Sequence, residues 1–176
     1  MREVSVQRVV VAGILGGIER TVCQQTFKCS VVYGEVQESV KCIRYVRRRV
    51  AAGEVIHADD MEYGYKYADR SALDDLLRSS GCDDMIIVRD GFVTDGFSSN
   101  LVFESEEGLF TPKTFLLPGT KRQSLIDIGI LSQRTLSCAD NARSATLRFV
   151  NAMTDLEEAV AVDDNRHRYI CTSGGK

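Results

Sequence analysis

Three side chains stand where their type and surroundings allow chemistry. The first is Lys66, in Tyr63-Gly64-Tyr65-Lys66-Tyr67, an extended stretch that flanks one amine with aromatic rings. Loss of water around such an amine favours its neutral form, which is a nucleophile and can form a Schiff base with a carbonyl. The plain alternative is a surface lysine on a strand. The second is Asp95, in Val93-Thr94-Asp95-Gly96-Phe97-Ser98-Ser99-Asn100-Leu101. A carboxylate followed by glycine and small polar residues between strands can be presented into a cleft, although the same residues also make a turn with Asx-type hydrogen bonds. The third is Leu116-Leu117-Pro118-Gly119-Thr120-Lys121-Arg122. Here glycine precedes a helix, and the free N–H groups and dipole of a helix start prefer an anion. Arg48, within Arg47-Arg48-Arg49, belongs to a solvated face or to an anion contact, since a guanidinium grips a carboxylate with paired hydrogen bonds.

Other chemistries are disfavoured. The two histidines, His57 and His167, have no ligand neighbour at zinc spacing, so no metal site is expected. Cys23, Cys29, Cys42, Cys82, Cys138 and Cys171 are irregularly spaced with no CxxC pair, and they read as small apolar residues in a reducing, cytoplasmic setting. A net charge of -3 argues against a general nucleic-acid binder. The longest apolar run, Val9 to Ile18, is interrupted by glycines and falls short of the ~18 residues of a membrane span. At 176 residues, with 44% hydrophobic and 27% charged side chains, the chain can bury a core without staples. No membrane association is expected.

The elements that must position these groups follow from periodicity. Cys29–Tyr33 and Ser39–Tyr45 read as strands joined through Gly34-Glu35, and Ala51-Ala52-Gly53 as a connection. Ser71 with Asp74 has capping-box character ahead of a helix whose stripe is Leu73, Leu76 and Leu77, closed by Gly81. Met85–Val88 reads as a buried strand turned by Asp90-Gly91 into Phe92–Thr94. Leu101–Phe103 and Leu109–Thr111 form a second hairpin. Thr120, as N-cap with Gln123, opens a helix ended by Gly129. A helix over 139–147, a strand at 148–150, a closing hairpin of 159–162 with 169–171, and a disordered tail at 173–176 complete an α+β chain, more antiparallel than parallel.

The order lysine, carboxylate about 30 residues later, then a Pro-Gly helix start resembles the class IV family of pyridoxal-phosphate enzymes. That family holds the branched-chain and D-amino-acid aminotransferases and aminodeoxychorismate lyase. The stretch 93–101 is similar to the family's V-T-E-G-x-x-x-N-L, Leu109-Phe110-Thr111-Pro112 to L-x-T-P, and Leu117-Pro118-Gly119-Thr120-Lys121-Arg122 to L-P-G-I-T-R. Lys66-Tyr67-Ala68-Asp69-Arg70 and Val150-Asn151-Ala152-Met153 resemble the lyase forms K-H-L-N-R and C-N-A-L. The form Y-K-Y-A-D-R is shared with short class IV members, mostly uncharacterised.

The resemblance implies a D-amino-acid-aminotransferase-like fold and pyridoxal 5'-phosphate as cofactor. Lys66 would carry the cofactor as a Schiff base and move the proton at Cα. Asp95 would take the place of the family's glutamate at the pyridine nitrogen. Ser98, Ser99, Thr120, Lys121, Asn151 and Ala152 would surround the cofactor, most of them at its phosphate, with Asn100 bracing the site. Arg48 would receive a substrate carboxylate. The implied activity is transamination between an amino acid and a 2-oxo acid. The alternatives are lyase-type elimination releasing pyruvate, and a non-catalytic domain without tight cofactor binding. A homodimer is implied. Only the strands near 28–46 match the family's small N-terminal domain, and no N-L-x-x-H-x-x-R form occurs. The expected organisation is therefore a truncated small domain over 1–50, an essentially complete large domain over 51–172, and the tail.

Overall fold

A computed structural model describes residues 26–34, 37–48, 50, 53–61, 63–137, 146–156, 161–163 and 169–170. The chain divides into two compact units, Met1–Val46 and Arg47–Lys176.

In the first unit β1 (Phe27–Tyr33) pairs antiparallel with β2 (Gln37–Arg44). The register sets Cys29 opposite Cys42, and the two form a disulfide across the hairpin with Cα atoms 4.1 Å apart. This departs from the reading of every cysteine as an unpaired apolar residue. Spacing along the chain carried no sign of it, because the pairing is a product of strand register. Phe27, Tyr33, Val40 and Ile43 are exposed on this ribbon.

The second unit is a mixed sheet. Among the described residues the strand order is β10 (Ala161–Asp163), β9 (Thr146–Val150), β6 (Asn100–Ser105), β5 (Phe92–Gly96), β4 (Asp84–Arg89), β3 (Gly53–His57) and β11 (Tyr169–Ile170). β7 (Gly108–Pro112) and β8 (Ser132–Arg134) branch from β6. β3–β4, β3–β11 and β7–β8 are parallel and the other pairs antiparallel. β4 is buried on both faces, which is why it reads as a continuous apolar run. Met85 and Ile87 face α1 (Ser71–Ser80) with Leu73 and Leu116. Ile86 and Val88 face an inner core with Val93, Leu101, Phe103, Phe110 and Phe149. On β6 the same period of two sends Leu101 and Phe103 to the inner core and Val102 to the face covered by Leu125 of α2 (Thr120–Asp127).

The turns behave as their residues require. Asp90 and Gly91 adopt φ of 52° and 78°, the left-handed pair that a two-residue hairpin turn needs, and Gly81 caps α1. Both helix starts differ from expectation. Ser71 is the first helical residue rather than the cap, and its N–H donates to Asp69 Oδ1 at 2.9 Å. This bond holds the Asp69 carboxyl below the usual range. Gly119, not Thr120, is the N-cap of α2, with no side-chain cap.

Other expectations are corrected by pairing. Gly53 opens β3 rather than a connection, because β4 provides a parallel partner. Residues 63–67 form no strand. Thr146 and Leu147 are in β9, where β6 holds them, so the expected helix does not reach 147; residues 138–145 lie outside the described residues. Instead of closing a hairpin together, β10 pairs with β9 and β11 with β3. The tail at 173–176 is outside the described residues.

Candidate active site

Asp95 lies near the end of β5, opposite Asn100 at the start of β6. Among the described residues this is the one register pair between β5 and β6, and the far end of β6 pairs with β7. Asp95 is only 6% exposed. Its Oδ1 accepts from Asn100 Nδ2 at 2.6 Å, and its Oδ2 accepts from the backbone N–H groups of Leu116 at 2.8 Å and Leu117 at 2.9 Å. Burial pushes its pKa up to about 6, against the opposing pull of these donors and of Arg122.

Arg122, in the first turn of α2, is 2% exposed. Its Nη2 donates to Pro112 O at 2.8 Å and Gln133 Oε1 at 3.1 Å, and the guanidinium lies 4.9 Å from the Phe115 ring centre. Nε has no partner among the described residues. Burial lowers the guanidinium's hold on its proton while the Asp95 charge raises it. Arg122 was legible only as part of a motif; its burial beside Asp95 is a tertiary fact.

The α2 start is brought against the same point. Asn100 Nδ2 also donates to Leu117 O at 3.0 Å, and a Cβ on Gly119 would run into Asn100 Oδ1. Glycine is therefore required by close approach. Lys121 Nζ pairs with Asp155 Oδ1 at 2.8 Å, tying the helix start to the loop after β9. In that loop Asn151 Nδ2 donates to Ser99 Oγ at 3.0 Å and Ser98 O at 3.4 Å. Asn151 Oδ1 accepts from Met153 N–H at 2.8 Å. Ser98, Ser99, Asp95, Thr120, Lys121, Asn151 and Ala152 thus sit on three stretches that hydrogen bonds and one ion pair hold together. Asp155 and the Leu116–Leu117 amides were not anticipated, because no side-chain pattern marks a backbone donor.

Lys66 is exposed and lies on an irregular segment, which corrects its expected place on a strand and its loss of water there. Arg70 tethers that segment: its Nη2 donates to Phe97 O at 2.6 Å, two residues beyond Asp95. The guanidiniums of Arg48 and Arg70 lie 5.1 Å and 4.7 Å from the Phe97 ring centre. Phe97 N–H donates to Asp84 Oδ1 at 3.0 Å, and burial raises the Asp84 pKa. Arg48 is thus placed by Phe97 and joins none of the hydrogen bonds around Asp95. Among the described residues no three of His, Cys, Asp and Glu gather to hold a metal ion. None of the described helices is long and apolar enough to cross a membrane.

Known proteins share this architecture. A candidate 4-amino-4-deoxychorismate lyase from Haemophilus somnus 129PT superposes with a TM-score of 0.77 over 88% of this chain and 81% of its own, at 27% identity. A hypothetical aminotransferase from Mycobacterium tuberculosis, in its PLP-bound form, superposes with a TM-score of 0.61 over 81% and 62%, at 23% identity. The chain thus spans less than two thirds of that protein. The α+β fold is that of the class IV aminotransferases. An uncharacterised protein of Haemophilus influenzae is 32% identical over 133 residues, 75% of this chain and 71% of its own length. Residues 63–159 match the family model for amino-transferase class IV; the chain belongs to that family.

Proposed function

We propose that this chain is a pyridoxal-phosphate-dependent class IV aminotransferase that moves an amino group between an amino acid and a 2-oxo acid. The observation that carries this reading is the joining of Asp95 to the uncapped start of α2 within a segment that matches the family model. The residues present fit the cofactor. A carboxylate accepts about four hydrogen bonds, and the described donors to Asp95 occupy three of them, leaving room for a ring N–H. The first turn of α2 keeps its amide donors without a side-chain cap. When bound, pyridoxal phosphate supplies an aldehyde for amines and a protonated ring that delocalises negative charge at Cα.

The chain's own residues do the rest. Lys66 would hold the cofactor through its amine and would take and return the proton at Cα. Asp95 holds the proton on the ring nitrogen. The backbone N–H groups of Thr120 and Lys121 would hold the cofactor's phosphate, since Lys121 Nζ is committed to Asp155. Asn151 and Ala152 would border the phosphate, with Ser98 and Ser99 held beside them by Asn151. Arg48 orients a substrate carboxylate from its place over Phe97. The enzyme works as a homodimer.

A second reading changes only the reaction. Likeness to the Haemophilus somnus lyase candidate and the Asn151-Ala152-Met153 form favour elimination with release of pyruvate. Pyruvate formed without an amino acceptor separates the two. The common test is direct. Purified chain mixed with pyridoxal phosphate gives a visible absorbance band that borohydride fixes on Lys66, and Lys66→Ala abolishes the fixed adduct. A wild-type chain that forms no adduct is the non-catalytic domain of the third reading.

A further inference from the structure

We propose that Asn100 is a positioning residue that ties the Asp95 carboxylate to the N-terminus of α2, so that one side chain sets the spacing between the cofactor's ring contact and its phosphate contact. This rests on the cofactor reading above and adds a residue that couples its two contacts.

The sheet aims Asn100 at both. It pairs with Asp95 across β5–β6 and with Val150 across β6–β9, next to the Asn151 loop. Its parity is that of Val102, on the face covered by α2. Both protons of Nδ2 are used, at 2.6 Å to Asp95 Oδ1 and 3.0 Å to Leu117 O. Both partners are acceptors, so the amide has one orientation that satisfies them. Its Oδ1 then lies where a Cβ of residue 119 would be, and only glycine permits that contact. The loop is closed from the other side, because the amides of Leu116 and Leu117 bind Asp95 Oδ2.

In this arrangement the carboxylate cannot move relative to the helix start without breaking a buried hydrogen bond. A purely structural asparagine would hold the loop, yet would leave the binding of ring and phosphate independent. The two roles differ in a measurable way.

The test uses the full chain, wild type, Asn100→Ala, Asn100→Ser and Gly119→Ala, with pyridoxal phosphate, pyridoxal and inorganic phosphate as probes. Circular dichroism selects the folded variants. In Asn100→Ala, pyridoxal phosphate affinity is expected to fall by about tenfold or more, the scale of one hydrogen bond to a charged group. Pyridoxal and inorganic phosphate, each using one contact, should lose much less. The pH midpoint of the bound cofactor's absorbance should move, because Asp95 loses a donor. Gly119→Ala, which displaces the Asn100 side chain while keeping it, should move affinity and midpoint the same way. Asn100→Ser, which cannot span both acceptors, substitutes if the alanine variant does not fold.

Equal losses for pyridoxal phosphate and pyridoxal, or an unmoved midpoint in a folded variant, overturn the proposal while the cofactor reading stands. A wild type that forms no adduct overturns both.

Discussion

Asp95 carries two opposing demands. Burial favours its neutral form, while three described hydrogen-bond donors and the Arg122 charge favour the anion, and burial prevails to leave the pKa at about 6. The folded value lies above the ordinary 3.8, so the folded chain holds this proton more tightly than the unfolded chain. The resulting stabilisation is fully present below about pH 4 and is lost as pH rises through about 6, to an extent of at most about 3 kcal/mol. Melting temperatures from pH 4 to 7 are expected to show this loss in the wild type and a flatter profile in Asp95→Asn. Cofactor binding runs the other way. Protonation below about pH 6 removes the charge that faces the ring, so pyridoxal phosphate affinity should fall there, as titration by absorbance will read. Arg122→Met should raise the Asp95 midpoint further, since a compensating charge is gone; carboxyl NMR measures this.

At the scale of elements, α2 depends on its buried contacts more than on its own sequence. It has eight residues, too short to be stable alone, and Leu125 seats it against Val102, Leu131 and Val150. Leu125→Ala should cost about 2–5 kcal/mol in chemical denaturation. It should also weaken pyridoxal phosphate binding more than pyridoxal binding, because the phosphate contact sits on that helix. The ion pair Lys121–Asp155 is partly exposed, so Asp155→Asn should change stability by less than about 1 kcal/mol. Both helix starts show why capping boxes read from sequence slipped by one residue: Asp69 reaches Ser71 N–H, and Gly119 holds the cap through its contact with Asn100.

For the whole molecule, the unit Arg47–Lys176 contains the Asp95 network and the three clusters that support it. The β1–β2 ribbon is different. A two-stranded sheet is marginal by itself, and this one exposes Phe27, Tyr33, Val40 and Ile43 while a disulfide joins its strands. Exposed apolar side chains of this kind favour association. Sedimentation equilibrium is expected to give twice the chain mass, and a monomer at micromolar concentration would remove the homodimer from the proposal.

Much was legible along the chain because it is local. Strand β2 followed from its period of two, and β4 to β7 from short apolar runs bounded by turn residues, among them Asp90-Gly91, which tolerates positive φ. The class IV motifs put Asp95, Thr120 and Asn151 in order because each stands at the end of a strand or the start of a helix, where the local residue requirements are strict. What needed the tertiary structure was every property that depends on neighbours distant in sequence. The parallel strand β3 has no hairpin to announce it, and the Cys29–Cys42 bond exists only through register. The two acceptors of Asn100 are five and seventeen residues away. Composition determined that the chain could bury a core; the folded sheet decided which polar groups would be buried with it, and so which carboxylate would feel a shifted proton equilibrium.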